Sequence, residues 1–409
     1  MPDVIAIATP EAAAAIHGVP LSVRLAFRFG ARLQRGTLDA VLPDGRRFRF
    51  GGREPGPAAT VVVKDLRFAS RFIRGGDLGI AEGYLRGEWE THDLTQFLYL
   101  FTVNYELSNS MLGNKPIVRL LQLFRHSLNR NTRSQARRNI HAHYDLGNRF
   151  YAAWLDETMT YSSALFDRGS NDLAAAQTRK YESLAERLRL APGQRVLEIG
   201  CGWGGFAEYV AKRHDVSVVG LTISREQYEF GRKRIASAGL DGKVEIKLQD
   251  YRDERGLYDR IASIEMIEAV GEKYWPTYFR QIRDRLKPGG IAAIQAITIQ
   301  DRFYASYKRE MDFIRRYVFP GGMLPSPEAL RKLGEGFGLP LIAEKVFGED
   351  YARTLSAWRG RFRTAWPTLV PMGFDERFRR LWEYYLAYCE AGFLSHHIDV
   401  RQMVFTKAE

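Results

Sequence analysis

The chain has 409 residues, 45% hydrophobic and 26% charged, which allows two or three domains with a sizeable core and excludes a low-complexity or disordered protein. A net charge of +12 points to an anionic partner, a membrane surface or nucleic acid. The two cysteines, Cys201 and Cys389, exclude a disulfide framework and fit a reducing, cytoplasmic compartment, and no apolar run approaches the roughly 18 residues of a spanning helix.

Residues 1–20 read as a loose, alanine-rich leader with no Lys or Arg before Arg24. Residues 21–114 read as a small α+β domain, a candidate for lipid binding. Short strands are predicted at 36–42, 46–50 and 60–63, the first two joined by the turn residues Pro43, Asp44 and Gly45. Helical patterning follows over 66–89, interrupted at Gly75, Gly76 and Gly79, and an apolar helix opens at 94–101. Residues 115–139 read as a second helix and a basic linker with no acid between Lys115 and Arg138. That pattern suits an anionic lipid surface, at about 1 kcal/mol per well-placed cation. A solvated linker beside a packed helix carries the same pattern. His141 and His143 have no further Cys or His cluster nearby, so no metal site is expected.

The most informative stretch is Glu198-Ile199-Gly200-Cys201-Gly202-Trp203-Gly204-Gly205. Val196, Leu197 and Ile199 signal a buried strand, and Phe206, Tyr209 and Val210 recur at helical spacing, so a tight turn joins strand to helix. Glycines there let a ligand approach the main chain, and the helix start offers unpaired N–H groups to it. Further strands at 216–220, 244–248, 258–264 and 291–297 alternate with helices. That alternation predicts a parallel sheet covered on both faces, with its ligand beyond the carboxyl ends of the strands. A long helix at 375–394 carries a core-type apolar stripe, and 400–405 reads as a closing edge strand.

Glycine physics alone does not say which nucleotide. The order Glu198-x-Gly200-x-Gly202, then Asp250 after the third strand and a Lys287-Pro288-Gly289-Gly290 turn, resembles the class I methyltransferases that bind S-adenosylmethionine. The implied fold is α/β, a class I (Rossmann-like) domain with a mainly parallel seven-stranded sheet, preceded by the smaller α+β domain. A more particular resemblance rests on several motifs in order. These are His141-Ala142-His143-Tyr144-Asp145-Leu146-Gly147-Asn148, Met159-Thr160-Tyr161-Ser162-Ser163-Ala164, Leu248-Gln249-Asp250-Tyr251-Arg252-Asp253, Phe319-Pro320-Gly321-Gly322 and Ala365-Trp366-Pro367. Together they resemble the cyclopropane-fatty-acid synthase (cyclopropane-fatty-acyl-phospholipid synthase) family over roughly residues 135–406, which makes 140–409 the expected methyltransferase domain.

By that resemblance the activity is methyl transfer to the double bond of unsaturated phospholipid acyl chains, giving cyclopropane fatty acids at the inner face of the membrane. Tyr161 and Ser162 are expected to close over S-adenosylmethionine, with Gly200, Gly202, Trp203 and Gly204 admitting it and Glu198 ordering the turn or meeting its ammonium. Thr222, Ser224 and Gln227 stand where an acidic ribose ligand is usual, although Thr222 and Ser224 also suit the start of the next helix. Gln249, Asp250, Tyr251 and Arg252 fall where the adenine would sit.

An alkene is a weak nucleophile, so the methyl donor must be held close and in line, and the resulting carbocation needs aromatic faces and exclusion of water. Trp275, Tyr278, Phe279, Tyr307, Phe313, Tyr317 and Phe319 are available, most of them expected in the core. The resemblance implies bicarbonate as catalytic base, held by Glu268, Tyr351 and two altered positions, Ser163 for a Cys and Gln295 for a His. Gln295 can carry neither charge nor proton. Proton loss elsewhere than the new methyl would give a methyl- or methylene-branched unsaturated chain instead of a ring. Two further readings are a catalytically silent lipid-binding homologue and a nucleic-acid methyltransferase, the latter disfavoured by the absence of any Pro-Pro amine site. Homo-oligomer formation is left open.

Overall fold

The computed structural model describes residues 4–105, 146–167 and 169–409. The expectations for the basic segment 115–139 and for His141 and His143 lie outside the described residues. The chain divides into two compact units. The first takes its described residues from Met1–Phe124, Glu310–Arg316 and Val370–His397; the second from Arg125–Arg309, Tyr317–Leu369 and Ile398–Glu409. The range 140–409 is therefore not one compact body. The long helix Glu376–Leu394 forms as its apolar spacing predicts, with Asp375 capping its start, but it clusters with the first unit.

In the first unit five strands, β1 (Val4–Ala6), β2 (Arg35–Val41), β3 (Arg47–Gly51), β4 (Glu54–Val63) and β5 (Trp89–Glu90), take the order β1-β3-β2-β4-β5. The leader is not loose. β1 pairs in parallel with β3, and the Ile7 amide continues the pairing by donating to the Arg49 carbonyl at 2.8 Å. Thr9 then caps the short helix Pro10–Ala14, whose first residue is a proline suited to that position. Alternation along β2 and β3 buries Leu38, Ala40, Phe48 and Phe50 against Phe27, Phe29, Phe72 and Phe97 from the helices. The interrupted pattern over 66–89 becomes a kinked helix, Arg67–Leu85, in which Gly76 takes φ 55°. The kink brings Gly79 against the Arg71 carbonyl, where a Cβ would lie 2.1 Å from the oxygen.

The second unit is built on seven strands: β6 (Arg195–Ile199), β7 (Ser217–Thr222), β8 (Val244–Leu248), β9 (Tyr258–Ile264), β10 (Leu286–Ile299), β11 (Leu341–Val346) and β12 (Ile398–Thr406). Their order is β11-β12-β10-β9-β6-β7-β8, parallel from β10 through β8. β12 runs antiparallel between β10 and β11, so it is an interior strand and β11 is the edge. Side chains alternate across the sheet into two cores. Leu197, Ile199, Val219 and Leu221 pack with the helices Trp275–Arg285 and Pro327–Gly336. Val196, Val218, Val244 and Ile246 pack with Leu173–Leu188, Gly205–Arg213 and Arg225–Ser237. The parallel strands β6 to β9 thus end along one rim, which carries Gly200, Thr222, Gln249 and Glu265.

Candidate active site

At the rim, the turn after β6 uses three left-handed glycines, Gly200 (φ 80°), Gly202 (φ 53°) and Gly204 (φ 82°). Gly200 also lies so close to Met266 that a Cβ would meet its Cγ at 2.8 Å, whereas the space beside Gly202 is open. The last of these glycines starts the helix Gly205–Arg213. Glu198 lies beneath the turn, 2% exposed, and its carboxylate accepts a hydrogen bond from the Ala207 amide. Its Oε2 is buried without a hydrogen-bond partner, and burial pushes the carboxyl up to about 8. An orphaned acceptor at a turn open to a ligand fits a group bearing an ammonium, as S-adenosylmethionine does.

The remaining cofactor candidates are brought to the same rim, largely bonded to one another. Ser224 caps the helix Arg225–Ser237 by accepting from the Gln227 amide, and the Thr222 hydroxyl donates to Gln227 Oε1 at 2.8 Å. Their local role is therefore the helix start. Asp250 takes both its main-chain and guanidinium bonds from Arg252, and Gln249 Nε2 donates to Glu254. Tyr251 packs edge-on against Tyr278, its hydroxyl buried. Trp203 donates from Nε1 to Asn148 at 2.6 Å, a contact that the sequence reasoning did not assign.

An aromatic wall leads away from the turn. Trp203 packs on Tyr151 with ring centroids 5.2 Å apart, Tyr151 on Tyr161 at 5.3 Å, Tyr161 on Trp358 at 5.2 Å and Trp358 on Tyr351 at 6.1 Å. Tyr151 and Trp358 are themselves fully buried and Tyr161 is half-buried; Trp275, Tyr278 and Phe279 pack instead in the core on one face of the sheet, and Phe313 belongs to the first unit. The wall comes from segments around residues 151–161 and 351–358 instead.

At the far end of this wall Ser163, Gln295 and Tyr351 do come together, but around Glu265 rather than Glu268. Tyr351 Oη donates to Glu265 Oε2 at 2.6 Å. The Ser163 amide and Gln295 Nε2 each donate to Glu265 Oε1 at 2.8 Å. Ser163 contributes its backbone; its hydroxyl donates to the Ala164 carbonyl. Glu265 holds φ 49°, a left-handed conformation uncommon for any residue but glycine, and its own amide bonds the Gln295 carbonyl. Burial raises its carboxyl above the ordinary range, against the opposing pull of these donors and Lys180.

Glu268 lies nearby with contacts of its own. Its Oε1 accepts from the Ile297 amide at 2.5 Å, its Oε2 is buried without a partner, and burial together with the Glu265 charge pushes it up to about 8. Bicarbonate does not fit these residues, because the Tyr351 hydroxyl and the Gln295 amide already donate to the Glu265 carboxylate and the Ser163 hydroxyl to the Ala164 carbonyl.

Behind the cluster, Lys180 is fully buried, donates to Ser162 Oγ at 2.7 Å and lies 4.4 Å from the Tyr181 ring centroid. Burial brings it down to about 8, offset by the charges of Glu265, Asp156 and Glu198. Neither Lys180 nor Glu265 was among the expected site residues. A glutamate directly after an apolar strand, at a parallel sheet's carboxyl rim, was the available signal for the second.

Residues 131–403 match the family described as mycolic acid cyclopropane synthetase. The chain is 41% identical over 362 residues to tuberculostearic acid methyltransferase UfaA1 of Mycobacterium tuberculosis, covering 86% of this chain and 84% of that protein. It is 38% identical over 359 residues to cyclopropane-fatty-acyl-phospholipid synthase of Escherichia coli, covering 85% and 88%. The solved mycolic acid cyclopropane synthase CmaA1, complexed with SAH and CTAB, superposes with a TM-score of 0.62 at 28% identity, covering 66% of this chain and 98% of that one.

Proposed function

The chain belongs to the mycolic acid cyclopropane synthetase family and is an S-adenosylmethionine-dependent methyltransferase, and from that premise we propose that it methylates the double bond of unsaturated acyl chains in membrane phospholipids. One observation carries this reading: an aromatic wall joins the glycine turn to a hydrogen-bonded carboxylate. Transfer to an alkene needs a donor site, a shielded cationic path and a proton acceptor, and the wall supplies the middle part.

When bound, S-adenosylmethionine supplies a methyl group on a cationic sulfur, the electrophile that an alkene requires. Glu198 would hold the ammonium end, and the glycine turn would let the main chain close on it. Tyr161, half-buried and backed by the rings of Tyr151 and Trp358, would offer an aromatic surface to a developing carbocation and keep water from it. Tyr351, Gln295 and the Ser163 amide orient the acceptor carboxylate, which must remove one proton from the methylated chain.

The phospholipid substrate and a cyclopropane product follow the reading of the Escherichia coli relative. A second product, a methyl- or methylene-branched unsaturated chain, is favoured by the rebuilt carboxylate site. Proton NMR of lipid recovered from unsaturated phospholipid vesicles incubated with the enzyme and S-adenosylmethionine separates the two. Upfield ring-methylene signals are expected for cyclopropane and vinylic signals on a chain one CH₂ heavier for the branched product. No mass gain with any unsaturated phospholipid would reject the function.

The substrate reading also places the protein at an anionic bilayer from the cytoplasmic side, using the acid-free stretch Lys115 to Arg138 and the net charge of +12. No helix among the described residues is long and apolar enough to cross a membrane. Reversing four cations there, Lys115, Arg119, Arg125 and Arg130, to Glu is expected to weaken vesicle binding by roughly 100-fold or more, at about 1 kcal/mol per charge. Unchanged binding and unchanged salt sensitivity would remove this segment from the proposal.

A further inference from the structure

We propose that Glu265 is the general base of this enzyme, a protein carboxylate standing in the place of a dissolved anion, so that turnover needs no bicarbonate. The inference rests on the alkene-methylation reading and assigns a residue to its last step.

Three separate segments donate to this carboxylate, two to Oε1 and one to Oε2. A carboxylate oxygen accepts along two lone-pair directions, so Oε2 keeps capacity for a proton while Tyr351 holds it in position. The backbone is held in a strained conformation to bring the group there, a cost that surrounding structure must offset and that clusters at functional sites.

The polarity of the cluster is fixed from behind. Ser183 Oγ donates to Gln402 Oε1 at 2.9 Å, and Gln402 Nε2 donates to Gln295 Oε1 at 3.1 Å. With its oxygen occupied, Gln295 can only present its NH₂ group to Glu265. Gln295 and Gln402 are register partners across β10 and β12, and both are fully buried. A neutral donor in this position suits a carboxylate that must alternate between charged and protonated forms. A permanent cation in direct contact would hold it ionised and make it a poorer base. The compensating charge comes instead from Lys180, one residue layer back on Ser162.

The step balances as follows. The methyl carbon bonds to one alkene carbon as its bond to sulfur breaks, and sulfur keeps the electron pair to become a neutral thioether. The other alkene carbon becomes the cation. A C–H proton then passes to Glu265 Oε2, and the pair left behind forms either the third ring bond or a new double bond. Glu265 ends as the acid and returns its proton to solvent before the next turnover.

The test uses the full-length enzyme with S-adenosylmethionine and unsaturated phospholipid vesicles, in CO₂-free buffer and with added bicarbonate. Wild type is expected to turn over at the same rate, within about twofold, in both. Its rate should fall on the acid side at a pH above the ordinary carboxylate range. Glu265→Gln is expected to lose roughly 100- to 10,000-fold in turnover with cofactor affinity by calorimetry unchanged. Glu265→Gly, which suits φ 49° and vacates the space, should regain activity when bicarbonate or formate is added. A wild-type rate that collapses in CO₂-free buffer and returns with bicarbonate, or a folded Glu265→Gln enzyme at full rate, overturns the assignment while leaving alkene methylation standing. Wild type that binds cofactor but methylates no acyl chain in either buffer overturns both.

Discussion

The cofactor turn draws its working parts from one short run, Glu198 to Gly205, whereas the carboxylate cluster draws on residues 163, 265, 295 and 351. Both sit at the rim of one parallel sheet. The turn is locally determined: a buried strand ends, left-handed glycines reverse the chain and a helix begins. The cluster exists only once β9, β10 and β12 are in register and the helix Gly348–Leu369 presents Tyr351. On the proposed roles, binding is tied to a local motif and proton removal to the assembled sheet, and the two should fail separately.

The sharpest way to break that contrast is a pair of substitutions. Glu198→Gln is expected to weaken S-adenosylmethionine binding by roughly 10- to 100-fold, from the loss of a charged contact of about 1.5–3 kcal/mol, with little change in rate at saturating cofactor. Tyr351→Phe should leave cofactor affinity intact and lower turnover about tenfold, because Glu265 loses its Oε2 donor. Calorimetry and initial rates check both. If each variant changes affinity and rate together, the two regions are one coupled site.

A smaller effect concerns Glu268. Its folded carboxyl lies at about 8, against about 4.3 in an unfolded chain. The folded state therefore keeps a proton that the unfolded state releases between those values. The stability this adds is complete below about pH 4.3 and is lost as pH rises through about 8. Glu268→Gln does not titrate, so its melting temperature relative to wild type should rise between pH 6 and pH 9, by about 2–4 °C per kcal/mol. Thermal melts at the two pH values test this. An offset independent of pH would mean that Glu268 is not held protonated.

The same contrast explains what could be read from the sequence. β6 to β10 and their helices follow from periodicity, because each element carries its own apolar pattern. β11 does not: Ile342 and Val346 are each 46% exposed at the sheet edge, so no buried face marks the strand. β12 was recognisable as a strand, but its interior place depends on pairing with β10 and β11, which no local pattern contains. The first residues lacked a helix-forming stripe, yet Thr9 and Pro10 carry the signal of a helix start. In the site, the resemblance groups Ser163, Gln295 and Tyr351 with Glu268, and the structure brings those three together around Glu265, three residues earlier. Two glutamates, Glu265 and Glu268, flank one turn after β9. Only the geometry distinguishes the one that meets three donors from the one that meets the Ile297 amide.

The interleaving of the two units has a consequence for biosynthesis. The first unit needs the helix Glu376–Leu394, and the second needs β12, which ends at Thr406. Neither can close before residues 376–406 have been made. The usual order, in which an amino-terminal domain folds before the next is made, is therefore not available. Exposed apolar strands of both units must wait together, and a chain cut short before residue 376 would leave two incomplete bodies, a substrate for chaperones or proteases.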